Sequence, residues 1–219
     1  MPAIPRTKDR FALSLQELLD KKSIQDISVG DIVENAGLSS RTFYNYFRDK
    51  NELLSYIYRT TVEPFWFEGG RKNSLYGFFA QCAKYAQDST NLRAFGNALD
   101  YHGQNDLCSE IEDKGVEDLI RLLRWNDYPG EFDETLRETL HFFMCGISRV
   151  LELRYQKFKR LEFDRLFTFW TDCIPAKLAK YLLMDPAGNE TENGQNNSGW
   201  FPSVFLIQCT FYSPEDTAG

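Results

Sequence analysis

The sequence predicts an all-α protein, a three-helix N-terminal module with a helix-turn-helix followed by a larger helical bundle. Three observations lead there. Apolar residues recur at spacings of three and four along most of the chain, the period of helices with one buried face. Strand-like alternation is absent until the tail, and two short helical stretches near the N-terminus meet at a turn containing glycine. The 219 residues, 42% hydrophobic and 15% aromatic, can build a real core and are not those of a wholly disordered chain.

Taken in order, Thr7 to Lys21 places Phe11, Leu15, Leu18 and Leu19 on one stripe of a first helix. Ser28 then precedes Val29, Ile32 and Val33, with Asp31 three residues after it, close to a capping box and the start of a second helix. Gly37 closes that helix after about two turns. Ser39 and Ser40 offer a fresh N-cap, and Phe43 and Phe47, four apart, share the face that meets the earlier helices. From Asp49 a longer helix runs through Leu53, Leu54, Ile57 and Tyr58 toward Pro64.

There the charge balance changes. Residues 1 to 63 hold nine Lys+Arg and nine Asp+Glu, whereas the remainder holds 16 against 23 and so carries the whole net charge of -7. The acidic part also reads as helical, through Leu75, Phe78, Phe79 and Cys82, then Ile111, Leu119, Leu122 and Leu123. Two further helices follow, one from Leu136 to Leu151 with Asp133 as cap, one from Phe163 to Tyr181 with Asp164 as cap and Pro175 as a kink or restart. Gly146 could allow a close helix approach. From Asp185 to Gly199 the chain is rich in Asn, Gly, Glu and Ser without periodicity, and the apolar run Trp200 to Tyr212 after it has no assigned role.

A helix-turn-helix reads DNA because its second helix enters the major groove N-terminus first. On a helix beginning at Ser40, the residues Arg41, Thr42, Tyr44 and Asn45 project away from Phe43 and Phe47. Arg can pair bidentately with guanine and Asn with adenine, Thr can offer its methyl to thymine, and Ser and Tyr hydroxyls can donate to phosphates. An acidic chain with a pI near 5.0 excludes a surface coated in basic charge, so any nucleic-acid site must be local. Arg6, Lys8 and Arg10 fit a basic arm over the backbone or merely a solvated terminus.

In this stretch Ala36, Gly37, Leu38, Ser39, Thr42, Phe43, Tyr44, Tyr46, Phe47, Lys50 and Leu53 fall in an ungapped pattern that resembles the TetR family of transcriptional regulators. The agreement extends upstream through Ile27, Ile32 and Val33 and covers about residues 7 to 60. The resemblance implies that Thr42, Tyr44 and Tyr46 face DNA and that Lys50, opening the next helix, clamps a phosphate. Arg41 departs from it, standing where many members carry Gly or another small residue, and is placed either on a base or along the backbone. With the capping serines the expected DNA-facing set is Ser28, Ser39, Ser40, Arg41, Thr42, Tyr44, Asn45, Tyr46 and Lys50.

The resemblance further implies a ligand-binding and dimerising C-terminal bundle and double-stranded DNA as partner. The expected organisation is a DNA-binding domain over residues 1–50, a helical body over 51–184, and a disordered linker and tail over 185–219. The last two helices are the expected homodimer face. An apolar pocket for a small apolar or aromatic ligand would draw on Trp66, Phe78, Tyr101, His102, Trp125, His141 and Cys145, most aromatics there serving as core and His141 reading as a core histidine. No metal or cofactor is expected, because neither histidine has a second one at ligand spacing.

No catalytic constellation stands out: there is no G-x-S-x-G, P-loop or HExxH, and the His141 and Cys145 pair lacks an evident orienting acid. The expected function is therefore a DNA-binding regulator, most simply a ligand-released repressor, and not an enzyme. A helical protein-interaction module with weak or no specific DNA binding is the alternative. The N-terminus does not resemble a signal peptide and no stretch has the apolar length of a membrane span, which places the protein in the cytoplasm. The five scattered cysteines suit buried or free thiols there.

Overall fold

Local hydrogen-bond chemistry sets the N-terminal elements. The computed structural model describes residues 6–66, 74–100 and 106–183, and every regular element among them is helical. Helices α1 (Thr7–Leu19), α2 (Val29–Ala36), α3 (Ser40–Tyr44) and α4 (Lys50–Thr61) form the N-terminal part. Helix α2 starts at a capping box: the Ser28 hydroxyl accepts from the Asp31 amide at 3.1 Å, and the Asp31 carboxylate accepts from the Ser28 amide at 2.8 Å. Those hydrogen bonds from Ser28, with help from Lys22, hold the Asp31 carboxyl below the usual carboxylate range. The helix ends where Gly37 turns left-handed at φ +61, and the Leu38 amide closes the turn on the Val33 carbonyl at 2.9 Å. A residue with a Cβ would be strained there.

The core beneath these helices is aromatic. The Phe11 ring meets Phe43 edge-on at 5.3 Å and Phe47 at 6.4 Å between centroids, and all three are buried with Leu15, Ile24, Ile27, Ile32 and Leu53.

The body continues with α5 (Leu75–Tyr85), α6 (Ser89–Ala98), α7 (Leu107–Trp125), α8 (Glu134–Phe158), α9 (Phe163–Cys173) and α10 (Ala176–Leu182). Ser74, Asp88, Asp106 and Asp133 cap the first four, each accepting from a backbone amide in the first turn. Helix α9 begins after Glu162, so Asp164, expected as its cap, lies one position inside the helix. Pro175 does restart the chain: α9 ends at Cys173 and α10 begins at Ala176. Helices α7 and α8 pack along their length, close enough at Gly115 that a Cβ would clash with the Met144 side chain. Phe79 of α5 lies 4.9 Å from Trp170 of α9, centroid to centroid.

Helix α6, which has no counterpart in the sequence reading, joins the N-terminal helices to the body. The Asn97 amide donates to the Leu19 carbonyl at 2.7 Å, and Arg93 pairs with Asp20 at 2.6 Å. Helix α4 likewise meets α7, where the Ser55 hydroxyl donates to Glu110 at 3.2 Å. All described residues fall within one compact unit. The expected tail, the run Trp200 to Tyr212 and the candidates Tyr101 and His102 lie outside the described residues.

One buried charge stands out on α7. Asp118 is 1% exposed; one carboxylate oxygen lies 3.3 Å from Arg121, and the other has no hydrogen-bond partner among the described residues. Burial pushes its carboxyl up to about 7, Arg121 opposing and Glu63 and Glu117 adding to the rise. The folded form thus keeps a proton that the unfolded chain releases from about pH 4 upward, so stability falls as pH rises from there through about 7. Asp118→Asn removes that loss. Denaturant midpoints of variant and parent should be most alike near pH 4 and diverge steadily in the variant's favour up to about pH 7, with no further divergence above it; a gap independent of pH would contradict the assignment.

Candidate nucleic-acid interface

A five-residue helix cannot hold itself in water; α3 is fixed by its ends and its inner face. The Ser39 hydroxyl accepts from the Thr42 amide at 3.1 Å and lies 2.8 Å from the Thr42 hydroxyl. Phe43 and Phe47 point inward onto Phe11, and the Tyr46 and Phe47 amides donate back to the Phe43 carbonyl at 2.9 and 3.0 Å. With that face committed, Arg41, Tyr44 and Asn45 turn to solvent with Ser39 and Ser40, and Tyr46 follows in the next turn. Tyr44 is 59% and Tyr46 42% exposed. Thr42 is half-buried, and Ser28 is exposed at the start of α2.

The basic residues of α1 have local partners. Arg10 donates to the Ala36 carbonyl at 2.8 Å, capping the C-terminus of α2. The Lys8 ammonium sits 5.6 Å from the centres of the Phe47 and Tyr56 rings and 5.9 Å from that of Tyr46. Tyr56 donates its hydroxyl to Asp9 at 2.8 Å, which raises the phenol above its usual range.

Lys50 is half-buried with its ammonium turned inward. It donates to the carbonyls of Ile24 at 2.6 Å and Ile27 at 2.7 Å, with Gln25 at 3.4 Å. The 3-10 turn Ile24–Asp26 leaves these carbonyls at a bend between α1 and α2, and the lysine gathers them. Desolvation lowers its pKa, partly offset by Asp26 and Asp31. The sequence reading did not single out Arg48, which stands exposed between α3 and α4, 3.3 Å from Glu52. Its flanking Phe47 and Asp49 carried the local signal, one as core and the other as cap.

In the body, α4, α5, α6, α7, α8 and α9 line an apolar cavity walled by Trp66, Leu75, Phe78, Tyr85, Met144 and Trp170, among others. Trp66 stacks on Phe78 at 3.8 Å, and the indole N–H groups of Trp66 and Trp170 are buried without a hydrogen-bond partner among the described residues. Of the residues expected around a ligand, Trp66 and Phe78 line this cavity. Trp125, at the end of α7, and His141 and Cys145, on α8, do not line this cavity. His141 is exposed, which corrects its reading as a core residue. Cys145 faces Glu112 of α7, and burial together with that carboxylate pushes its thiol up to about 11.

This arrangement, a short solvent-facing helix locked over an aromatic core by a glycine turn, is the geometry of a helix-turn-helix. Residues 16–57 match the family of bacterial regulatory proteins called tetR, so the similarity to that family covers the N-terminal module. A similar sequence is the HTH-type dhaKLM operon transcriptional activator DhaS of Lactococcus lactis, 38% identical over 52 residues. That stretch is 24% of this chain and spans only 28% of the relative's length. Among solved structures, the dihydroxyacetone kinase operon activator DhaS is similar at a TM-score of 0.54 and 15% identity, over 76% of this chain and 93% of that one. A TetR transcriptional regulator from Streptococcus agalactiae 2603V gives 0.53 and 16%, over 75% and 90%. At these identities the likeness over the body is one of fold. No described helix is long and apolar enough to cross a membrane.

Lys50→Met keeps the stem and deletes the ammonium from all three carbonyls, of which that of Ile24 retains the Ile27 amide at 3.3 Å. Urea denaturation should show a loss of about 1–3 kcal/mol, and an unchanged midpoint would mean that the lysine is not holding the turn.

Proposed function

We propose that the protein is a transcriptional regulator that binds a pseudo-palindromic operator as a homodimer and releases it when a small apolar or aromatic ligand fills the body. The observation that carries this reading is the outward set on α3, namely Arg41, Tyr44 and Asn45, exposed above buried Phe43 and Phe47. Arg41 suits a guanine edge, Asn45 an adenine edge and the Thr42 methyl a thymine. The hydroxyls of Ser28, Ser39, Ser40, Tyr44 and Tyr46 suit phosphates, as does the guanidinium of Arg48. Lys50 reaches a phosphate only by leaving its carbonyls, so its part is first to set the loop between α1 and α2.

Two-fold pairing would set the recognition helices about 34 Å apart, one DNA turn. A candidate pairing face exists on α8 and α9, where Phe142, Leu153, Phe158 and Phe169 are exposed and Gly146 has open space before it. The ligand would enter the apolar cavity, and the two unpartnered indole N–H groups favour one that brings a hydrogen-bond acceptor. A ligand preferring one subunit arrangement must weaken DNA binding by its differential affinity for the two arrangements. The two DhaS proteins named above are called activators; activation and repression share the same DNA-reading step, and we read this chain as a repressor.

Selection from a random DNA pool should recover a palindrome, bound with an affinity that falls steeply as salt rises. Arg41→Ala combined with Tyr44→Ala should weaken specific binding by at least roughly tenfold with the helical circular dichroism unchanged; parental affinity in that variant, or a complex indifferent to salt, would refute the reading. A thermal-shift panel of aromatic acids and ketones should yield a stabilising compound that also lowers operator affinity. Stabilisation with operator affinity unchanged would rule out the coupling.

A further inference from the structure

The fold brings together three side chains that the reading above leaves without a task. We propose that Glu112, His141 and Cys145 form a binding site for a divalent transition metal of borderline softness, of which zinc is the type, bridging α7 and α8. His141 and Cys145 lie one turn apart on the same face of α8, and Glu112 comes from α7 across the helix pair. One ligand atom from each, all three lying within 4.8 Å of one another, can face a common point. Around a tetrahedral zinc such atoms stand roughly 3.3–3.8 Å apart, given bonds of about 2.0–2.3 Å. The exposed imidazole of His141 can close that difference by side-chain rotation.

The donor set is one nitrogen, one sulfur and one oxygen. It disfavours calcium and magnesium, which take oxygen ligands, and suits zinc or cobalt. Three protein ligands leave a fourth position for water. The carboxylate is already oriented: the buried Ser148 hydroxyl donates to Glu112, the kind of outer contact that fixes a metal ligand. Arg149, one turn beyond Cys145 on α8, is turned to Glu152 at 2.5 Å. On binding, the thiol of Cys145 gives its proton to solvent and its sulfur bonds the metal, so that thiolate and carboxylate balance the dication.

The site is separate from the apolar cavity, which none of the three residues lines. It ties together two helices that do line it, through Ile111 of α7 and Met144 of α8. The proposal stands whether or not the regulator reading does.

Cobalt serves as the probe, titrated into the reduced, chelator-treated full-length protein. One equivalent should raise a thiolate-to-cobalt charge-transfer band with strong visible d–d bands, and zinc should remove both. Cys145→Ser should abolish the charge-transfer band, while Cys173→Ser, at an exposed thiol elsewhere, should keep it. His141→Ala and Glu112→Gln should each weaken cobalt binding by roughly tenfold or more, and Ser148→Ala by about tenfold. Far-UV circular dichroism monitors folding, and His141, being exposed, keeps the test decisive if another variant misfolds. Absence of the band in the parent, its survival in Cys145→Ser, or unaltered affinity in His141→Ala would each overturn the proposal.

Discussion

Everything the N-terminal part can do rests on the seating of Phe43 and Phe47 against Phe11. Helix α3 has five residues, too few to be stable on its own hydrogen bonds. Its direction is therefore a tertiary property, set by edge-on ring packing below, by the Ser39 cap at one end and by the left-handed Gly37 just before it. Once Phe43 points inward, the helical period leaves Arg41, Tyr44 and Asn45 no direction but outward. An outward surface of this kind is specified by its buried side.

The same anchor is mechanically connected to the body. Helix α1, which carries Phe11, also packs on α6 through the Leu19 carbonyl and Asp20. Helix α4 runs from the Lys50 clamp at one end to Tyr58 at the other, and Tyr58 lines the apolar cavity with Val62 just beyond. Dense packing transmits a displacement rather than absorbing it. A ligand that pushes on Tyr58 or Val62 would act on the rigid element that borders the recognition segment, which is the physical route the proposed coupling needs.

How far the sequence could be read follows from the range of the interactions involved. The capping box at Ser28, the turn at Gly37, the Ser39 cap, the inward phenylalanines and the restart at Pro175 are decided within a few residues, and all were legible. Helix α6 was not, because Ala94, Gly96 and Ala98 offer little apolar stripe and gain their burial from α1 and α8. The inward turn of Lys50 depends on carbonyls more than twenty residues away, and the meeting of Glu112 with His141 depends on the α7 and α8 packing. Neither leaves a trace in local spacing.

His141 was misread for a more instructive reason. An apolar stripe tells which face of a helix is buried only if the other faces are polar. Helix α8 breaks that condition: Phe143, Ile147 and Leu151 are buried, while Phe142, at 84% exposure, and Leu153 look outward. With apolar residues on both sides, the period could not say that His141 stands on the outer edge. Exposed aromatic surface of this extent leaves transfer free energy unclaimed, at about 25 cal/mol per Å², and a matching surface on a second copy would claim it. A helix apolar on two sides is thus what a chain needs when one side belongs to its own core and the other to the proposed partner subunit, and the histidine at the boundary between them is left accessible to both solvent and the carboxylate of α7.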